Sequence, residues 1–461
     1  MIVRTGSGLV RGRQTAAGVV AFLGIPYAAP PFGPRRFLPP EAPEPWRGVR
    51  ECAEFGPVAP QSAKLPGTPE WSPGDEDVLT LNVWTAPPAG PRPVLVWIHG
   101  GAYAFGSSAQ PDFDGSALAR AGLVVVSCNF RLGFEGFGRL PGCPDNRGLL
   151  DQTAVLRWVR ANIAGFGGDP GSVTAAGQSS GAGSIACLLR EPGLADRAIL
   201  HSVPDAYLTA EAAAEISTAI QAELPVPIDT AAPEQLLDAA DRVTAACRGR
   251  APGRLGYDPV LFGPITGEPH IDARVDLLVC HTTDEYGLFD AVGGLTPVDT
   301  GRQLTAFARA LDIPDRIVTG YRRLLPGMPV RELYLRLFGD RIFSAHTTAL
   351  ARHHTAAGGR AHLARFARPR AWHCADVPFC FGTIDVPETH FLLGGAPDAQ
   401  DRQLSAAMLR AWADFAATGD PGWPAWSSDA RPVKWWTVPR SPVLDDEPPT
   451  LRLWHDVPMS R

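Results

Sequence analysis

Lysine is nearly missing from this chain. Lys64 and Lys434 are the only two, and the other basic residues are arginines, a skew that reads as GC-rich coding rather than phosphate binding. With a formal net charge of −6 there is no basic footprint, so nucleic acid is not expected as a partner. Also missing is any apolar run near the roughly 18 to 20 residues that cross a bilayer, so no membrane span is expected. Met1-Ile2-Val3-Arg4-Thr5 leads straight into folded-looking sequence rather than a secretory leader. The eight cysteines (Cys52, Cys128, Cys143, Cys187, Cys247, Cys280, Cys374 and Cys380) show no CxxC spacing and no metal-ligand cluster. Neither a metal site nor a disulfide framework is expected from them, and Cys128 and Cys280, in strand-like apolar runs, read as buried thiols. A cytoplasmic protein is the simplest reading.

What the chain does have is length and apolar content: 461 residues, 45% hydrophobic. Length alone would allow about three domains, but large α/β enzymes often use it as one, and no repeat, low-complexity segment or linker divides residues 1–461. From Met1 to about Phe22 alternation and glycine punctuation suggest a small antiparallel meander, followed by a Pro-rich connection to about Pro45. Leu79 to Trp84 alternates as an edge strand would. Pro93 to Ile98 and Leu123 to Phe130 are continuous apolar runs, the mark of strands covered on both faces. Asn146 opens a helix with Val155, Leu156, Val159 and Ile163 at helical spacing, ending at Gly165. Helices are expected over about 207–254 and 301–358, with strands at Val275–Cys280 and Ala361–Phe366 and a helix around Ser405 to Ala417. Alternation of strand and helix predicts a large, mostly parallel sheet flanked by helices, with the two helical stretches inserted over it.

The chemistry centres on Gly177-Gln178-Ser179-Ser180-Gly181, which fits G-x-S-x-G between a strand and a helix. A turn that tight leaves no room for bulk two residues either side of the serine. Ser179 then stands at a helix N-terminus, where N–H groups face developing negative charge. A serine hydroxyl needs a base to take its proton, and the base needs a third group to fix its tautomer. His373 lies on a loop just after a predicted strand and follows the serine in the order nucleophile, acid, histidine. His346, His353, His354, His362, His99 and His201 fall in helices, within a strand or at other strand ends. Asp284 and Glu285, adjacent at the end of the Val275–Cys280 strand, both qualify as the acid by spacing. His99-Gly100-Gly101-Ala102, after the Pro93–Ile98 run, reads either as a plain glycine-rich turn or as a loop that aims bare backbone N–H groups where an oxyanion would form. Phe105, Tyr286 and Phe289 are near these residues in the chain and read as core packing.

Taken with Asn129-Phe130-Arg131-Leu132-Gly133, Asn146-Arg147-Gly148-Leu149-Leu150-Asp151-Gln152, Asp284-Glu285-Tyr286-Gly287 and the His373 loop, these motifs resemble the type B carboxylesterases, the family that includes the cholinesterases. The resemblance spans Gly24-Ile25-Pro26-Tyr27 to Thr418-Gly419-Asp420-Pro421. It implies an α/β-hydrolase fold with helical cap insertions, a small-molecule ester substrate, no cofactor, and a Ser179, His373, Glu285 relay, favouring Glu285 over Asp284. It also implies an oxyanion hole from the N–H groups of Gly101, Ala102 and Ser180. Gln178 stands where the family has glutamate, Ala102 where many members have glycine, and Tyr286 separates the acid from the family's glycine. Ala59 and Val78 stand where many members have a cysteine pair, which fits a reducing compartment. The same residues would also serve an acyltransferase, cyclase or thioesterase-like enzyme of a biosynthetic pathway, and the family includes non-catalytic binding members. The sequence does not fix the oligomeric state.

Overall fold

The computed structural model describes residues 1–15, 18–62, 68–86, 90–267, 269–427, 429–445 and 447–457. Among them the apolar runs assemble one sheet of thirteen strands. The short, alternating N-terminal segments form β1 (Ile2–Arg4), β2 (Leu9–Gln14) and β3 (Val20–Pro26), paired antiparallel as expected, with β4 (Val49–Cys52) beside β2 off the main path. Next along the chain come β5 (Thr80–Thr85), β6 (Arg92–Ile98), β7 (Val124–Cys128), β8 (Gly168–Gln178) and β9 (Arg197–His201). They are followed by β10 (Asp276–Thr282), β11 (Ala361–Phe366), β12 (Val433–Trp436) and β13 (Val443–Leu444). Across the sheet the order β7-β6-β8-β9-β10-β11-β12 is parallel at every step. Parallel neighbours need long crossovers, and helices supply most of them.

The continuous apolar runs are explained by burial on both faces. Val94, Val96 and Ile98 of β6 pack on one side with Val155, Leu156 and Val159 of the helix Arg147–Asn162. Leu95 and Trp97 point the other way, toward Trp412 and Phe415 of the helix Ala399–Thr418. The Trp97 ring meets Phe381 edge-on at 5.0 Å. Emptying that position by Trp97→Ala would cost about 3–5 kcal/mol. A buried ion pair fastens the loop after β7 to the first of these helices: Arg131 donates from Nε and from its guanidinium NH2 group to Asp151 at 2.8 and 2.6 Å.

Two boundaries and one placement differ from the sequence reading. The strand expected at an edge, β5, is buried along its whole length between β3 and β7. Its polar positions are satisfied inside the protein rather than by water, Asn82 Nδ2 donating to Ser108 and Ser127 hydroxyls at 2.9 and 3.0 Å. The helix expected from Ser405 begins at Ala399, because the Asp398 carboxylate accepts from the N–H groups of Gln400 and Asp401. β8 starts at Gly168, taking in residues expected to precede it. The 207–254 stretch holds helices Ala210–Ala222 and Pro233–Cys247. The 301–358 stretch holds Gly301–Ala310, Asp315–Leu324, Val330–Gly339 and Ala345–Ala356. The latter helices gather a separate core in which Tyr286 stacks on Phe338 at 4.0 Å.

Candidate active site

The strand β8 ends at Gln178 and a helix begins at Ser180, so Ser179 makes the whole turn alone, at φ 55° and ψ −129°. That is a strained conformation for a residue with a Cβ, held because its surroundings leave no alternative. A Cβ at Gly181 would fall 2.0 Å from the carbonyl oxygen of Ile98, and one at Gly177 would fall 2.8 Å from the backbone of Gly181. The Ser179 N–H donates to the carbonyl of His201 at 2.9 Å, fixing the turn to the end of β9.

The loop after β6 is shaped by the same steric logic. Gly101 has φ 126°, and a Cβ there would lie 1.8 Å from the Phe105 carbonyl oxygen. Ala102 and Tyr103 follow at φ 52° and 61°. His99 braces the loop: its Nδ1–H donates to the Gly100 carbonyl at 2.7 Å, and its ring stacks on Phe130 at 4.5 Å. Burial, offset only in part by that carbonyl, lowers His99 to about 4, so the ring stays neutral. The N–H groups of Gly101, Ala102 and Ser180 donate to no group among the described residues, and all three residues line the cavity that Ser179 lines.

On the far side of Ser179, the loops after β10 and β11 bring a carboxylate and an imidazole together. His373 Nδ1–H donates to Glu285 Oε2 at 2.6 Å, and Glu285 Oε1 accepts from the Ser202 hydroxyl and the Thr282 N–H, each at 2.8 Å. Asp284 turns elsewhere: its N–H meets the Ala371 carbonyl at 3.0 Å and its carboxylate lies by the Trp372 ring nitrogen. With the proton on Nδ1, His373 Nε2 is an acceptor, and it takes a hydrogen bond from Gln178 Nε2 at 3.0 Å. Cys374 Sγ in turn donates to Gln178 Oε1 at 3.4 Å. Burial works against a charged imidazole, but Cys374 and Glu285 outweigh it and hold His373 above its usual 6.5.

These groups face a cavity of about 120 Å³ whose walls are mainly apolar. Phe105 and Phe289 line it, which corrects the expectation that both are core residues. Tyr286 is core, fully buried with its hydroxyl donating to Asp258 at 2.8 Å. A neighbouring hollow of about 340 Å³ shares Ala102, Phe105, Val260 and Phe289 with the first.

A family model described as the carboxylesterase family matches residues 1–241 and 327–447. The chain belongs to the carboxylesterase family. It is 34% identical to the para-nitrobenzyl esterase of Bacillus subtilis (strain 168), with 93% of each chain covered. It is 31% identical to the fumonisin B1 esterase of Sphingopyxis macrogoltabida, over 91% of this chain and 82% of that one. A solved para-nitrobenzyl esterase structure superposes with a TM-score of 0.85 at 31% identity, covering 98% of this chain and 99% of its own. A carboxylesterase of Geobacillus stearothermophilus gives 0.82 at 31% identity, again covering 98% and 99%. This carboxylesterase is therefore a carboxylic ester hydrolase on the α/β-hydrolase fold.

In this carboxylesterase the described helices include none long and apolar enough to cross a membrane. Among the described residues one buried trio, His201, Cys280 and Asp376, has ligand atoms within 4.8 Å of one another. To take an ion it would have to give up existing bonds: His201 Nδ1 meets Asp376 at 2.6 Å, and His201 Nε2 accepts from Trp412 Nε1 at 3.3 Å. All eight cysteines are free thiols, and Cys128 and Cys280 are buried as expected. The sequence reading missed Ser202, Asp376 and Cys374. A hydroxyl one residue past a strand end and an acid three past the histidine are weak signals, since each acts on a partner from another segment.

Proposed function

We propose that this enzyme cleaves esters through an acyl-enzyme formed on Ser179. His373 takes the hydroxyl proton at Nε2 as Ser179 attacks the carbonyl and returns it to the leaving alcohol, then repeats both steps with water. Glu285 holds Nδ1–H and steadies the imidazolium that forms. The N–H groups of Gly101, Ala102 and Ser180 receive the oxyanion as its charge develops. The observation that carries this reading is the 2.6 Å bond between His373 and Glu285 beside a cavity that also holds Ser179 and three uncommitted N–H groups. Gln178 occupies His373 Nε2 in the free enzyme, so its amide must yield that nitrogen before proton transfer. Apolar walls built from Phe105, Val260, Phe289 and Phe343 favour esters with hydrocarbon or aromatic groups, which agrees with the para-nitrobenzyl group in the name of the Bacillus subtilis relative.

We also read the 207–254 and 301–358 helices as cover for the site, since the segments after and within them place Arg254, Asp258 and Phe343 on the cavity wall. The test is labelling: a fluorophosphonate probe should modify Ser179, read by peptide mass spectrometry. Labelling elsewhere, or undiminished ester cleavage by Ser179→Ala, would reject the assignment.

A further inference from the structure

The interior behind the acid holds a cation without a partner. Arg365 lies on β11 in register with His281 of β10 and Trp435 of β12, and it is 2% exposed. Its guanidinium sits over the Trp435 ring at 4.9 Å. Its Nε is buried with no hydrogen-bond partner, and no carboxylate pairs with it among the described residues. Burial, with Arg336 adding to it, pulls the group down to about 10, which leaves it charged at neutral pH.

The titratable groups around Arg365 are settled among themselves, with one exception. His281 is neutral: burial and then Arg365 lower it to about 3, and its Nδ1–H donates to the Thr282 carbonyl at 3.2 Å. Arg336 and Asp340 cancel, since the Asp340 carboxylate accepts from Arg336 Nε at 3.0 Å and from the Tyr321 hydroxyl at 2.6 Å. Lys434 is turned to the opposite face of β12, over the Trp436 ring, and Asp284 is exposed to water. The exception is Glu285. It is 3% exposed, and its carboxylate meets an imidazole, a hydroxyl and an N–H but no guanidinium or ammonium among the described residues. Both leftover charges occupy one corner of the interior. Thr282, whose N–H holds Glu285, follows the residue that pairs with Arg365, and a Cβ on Gly339, in the helix that carries Arg336, would fall 3.0 Å from Glu285 Cβ. Glu285 is also among the groups that favour the charged guanidinium. Two buried charges of opposite sign each lower the cost of burying the other, even without a direct bond.

We propose that Arg365 is the counter-charge of the catalytic acid, a positioning residue that acts through Glu285 on His373. The proposal rests on the Ser179, His373 and Glu285 reading above. A buried carboxylate with no cation behind it holds the imidazole's second proton too firmly and keeps the base occupied. The guanidinium offsets part of that pull and leaves every hydrogen bond of the relay in place.

Arg365→Met removes the charge and keeps an apolar chain against Trp435. The acid limb of its kcat/KM profile, measured with a nitrophenyl ester, should move up by about one unit. Without the guanidinium the imidazolium is favoured, so the base is freed only at higher pH, the opposite of the change expected for Glu285→Gln. An arginine with a structural role alone would lower Tm and leave the limb in place. A limb that stays still or moves down would overturn the proposal. A cycle in Tm is the second measurement. Removing either charge leaves the other buried alone, so the double variant Arg365→Met/Glu285→Gln should melt no lower than Arg365→Met. Losses of Tm that add would overturn the proposal as well. Should Arg365→Met fail to fold, the double variant should still fold, and its failure would count against the pairing in the same way. Ester cleavage that persists in Ser179→Ala would instead break the underlying reading, and the proposal with it.

Discussion

His373 and His201 make the same bond. Each donates Nδ1–H to a buried carboxylate at 2.6 Å, His373 to Glu285 and His201 to Asp376. They part company at the other nitrogen. His373 Nε2 meets a side-chain amide on the wall of a cavity, whereas His201 Nε2 is closed off by the Trp412 indole at 3.3 Å. A histidine and a carboxylate in contact therefore do not make a catalytic pair by themselves. What decides is whether the second nitrogen can reach something that reacts.

The comparison breaks most sharply at Ser179, the group on the open side. Ser179→Ala should reduce kcat by up to about a millionfold, the scale of losing a relay nucleophile. A loss below tenfold would leave the open pair no more catalytic than the closed one. Glu285→Gln should reduce kcat/KM about ten-thousandfold by disturbing the tautomer, and Asp284→Asn far less. Because Glu285 is one of the groups holding the imidazole up, the acid limb of the residual activity should also move to lower pH. The reverse ranking of the two acids would transfer the role to Asp284.

On the closed side the same kind of change should act on stability instead. Asp376→Asn should cost about 1–3 kcal/mol by weakening a buried hydrogen bond, seen as a lower Tm, with kcat/KM kept within about tenfold. A large loss of rate at unchanged Tm would make the closed pair part of the chemistry. The smallest effect belongs to Gln178→Glu. A carboxylate beside Nε2 would favour the imidazolium, so the acid limb of the pH profile should rise by about one unit. An unmoved limb would mean that residue 178 does not face the base in solution.

Of the open pair, His373 was legible from its place in the chain and the acid only as Asp284 or Glu285, with the family resemblance favouring Glu285, while the closed pair was not legible at all, for a physical reason. Glycine is required at 181 in the elbow and at 101 in the loop after β6, where a Cβ would strike backbone at 2.0 and 1.8 Å, and such demands leave a pattern within a few residues. The order of serine, acid and histidine at the ends of β8, β10 and β11 adds a second constraint. The His201, Asp376 and Trp412 contacts join distant segments, and any of many residue types could fill those places. The same holds for the cavity wall. Phe289 looks like core because its neighbours in the chain are core, and only the packing of the later helices leaves its face open. Strand β5 misled for a related reason, since alternation suggests water on one face and cannot show that Ser108 and Ser127 take water's place.

The dipeptide at the end of β9 links these parts. The His201 carbonyl holds the Ser179 N–H at 2.9 Å, the His201 ring holds Asp376 on the His373 loop, and the Ser202 hydroxyl holds Glu285 at 2.8 Å. Three loops that come from different strands thus share one anchor, and a shift of that anchor moves them together. For anyone remodelling this enzyme toward other esters, residues 201 and 202 are the survey mark from which the working distances are measured.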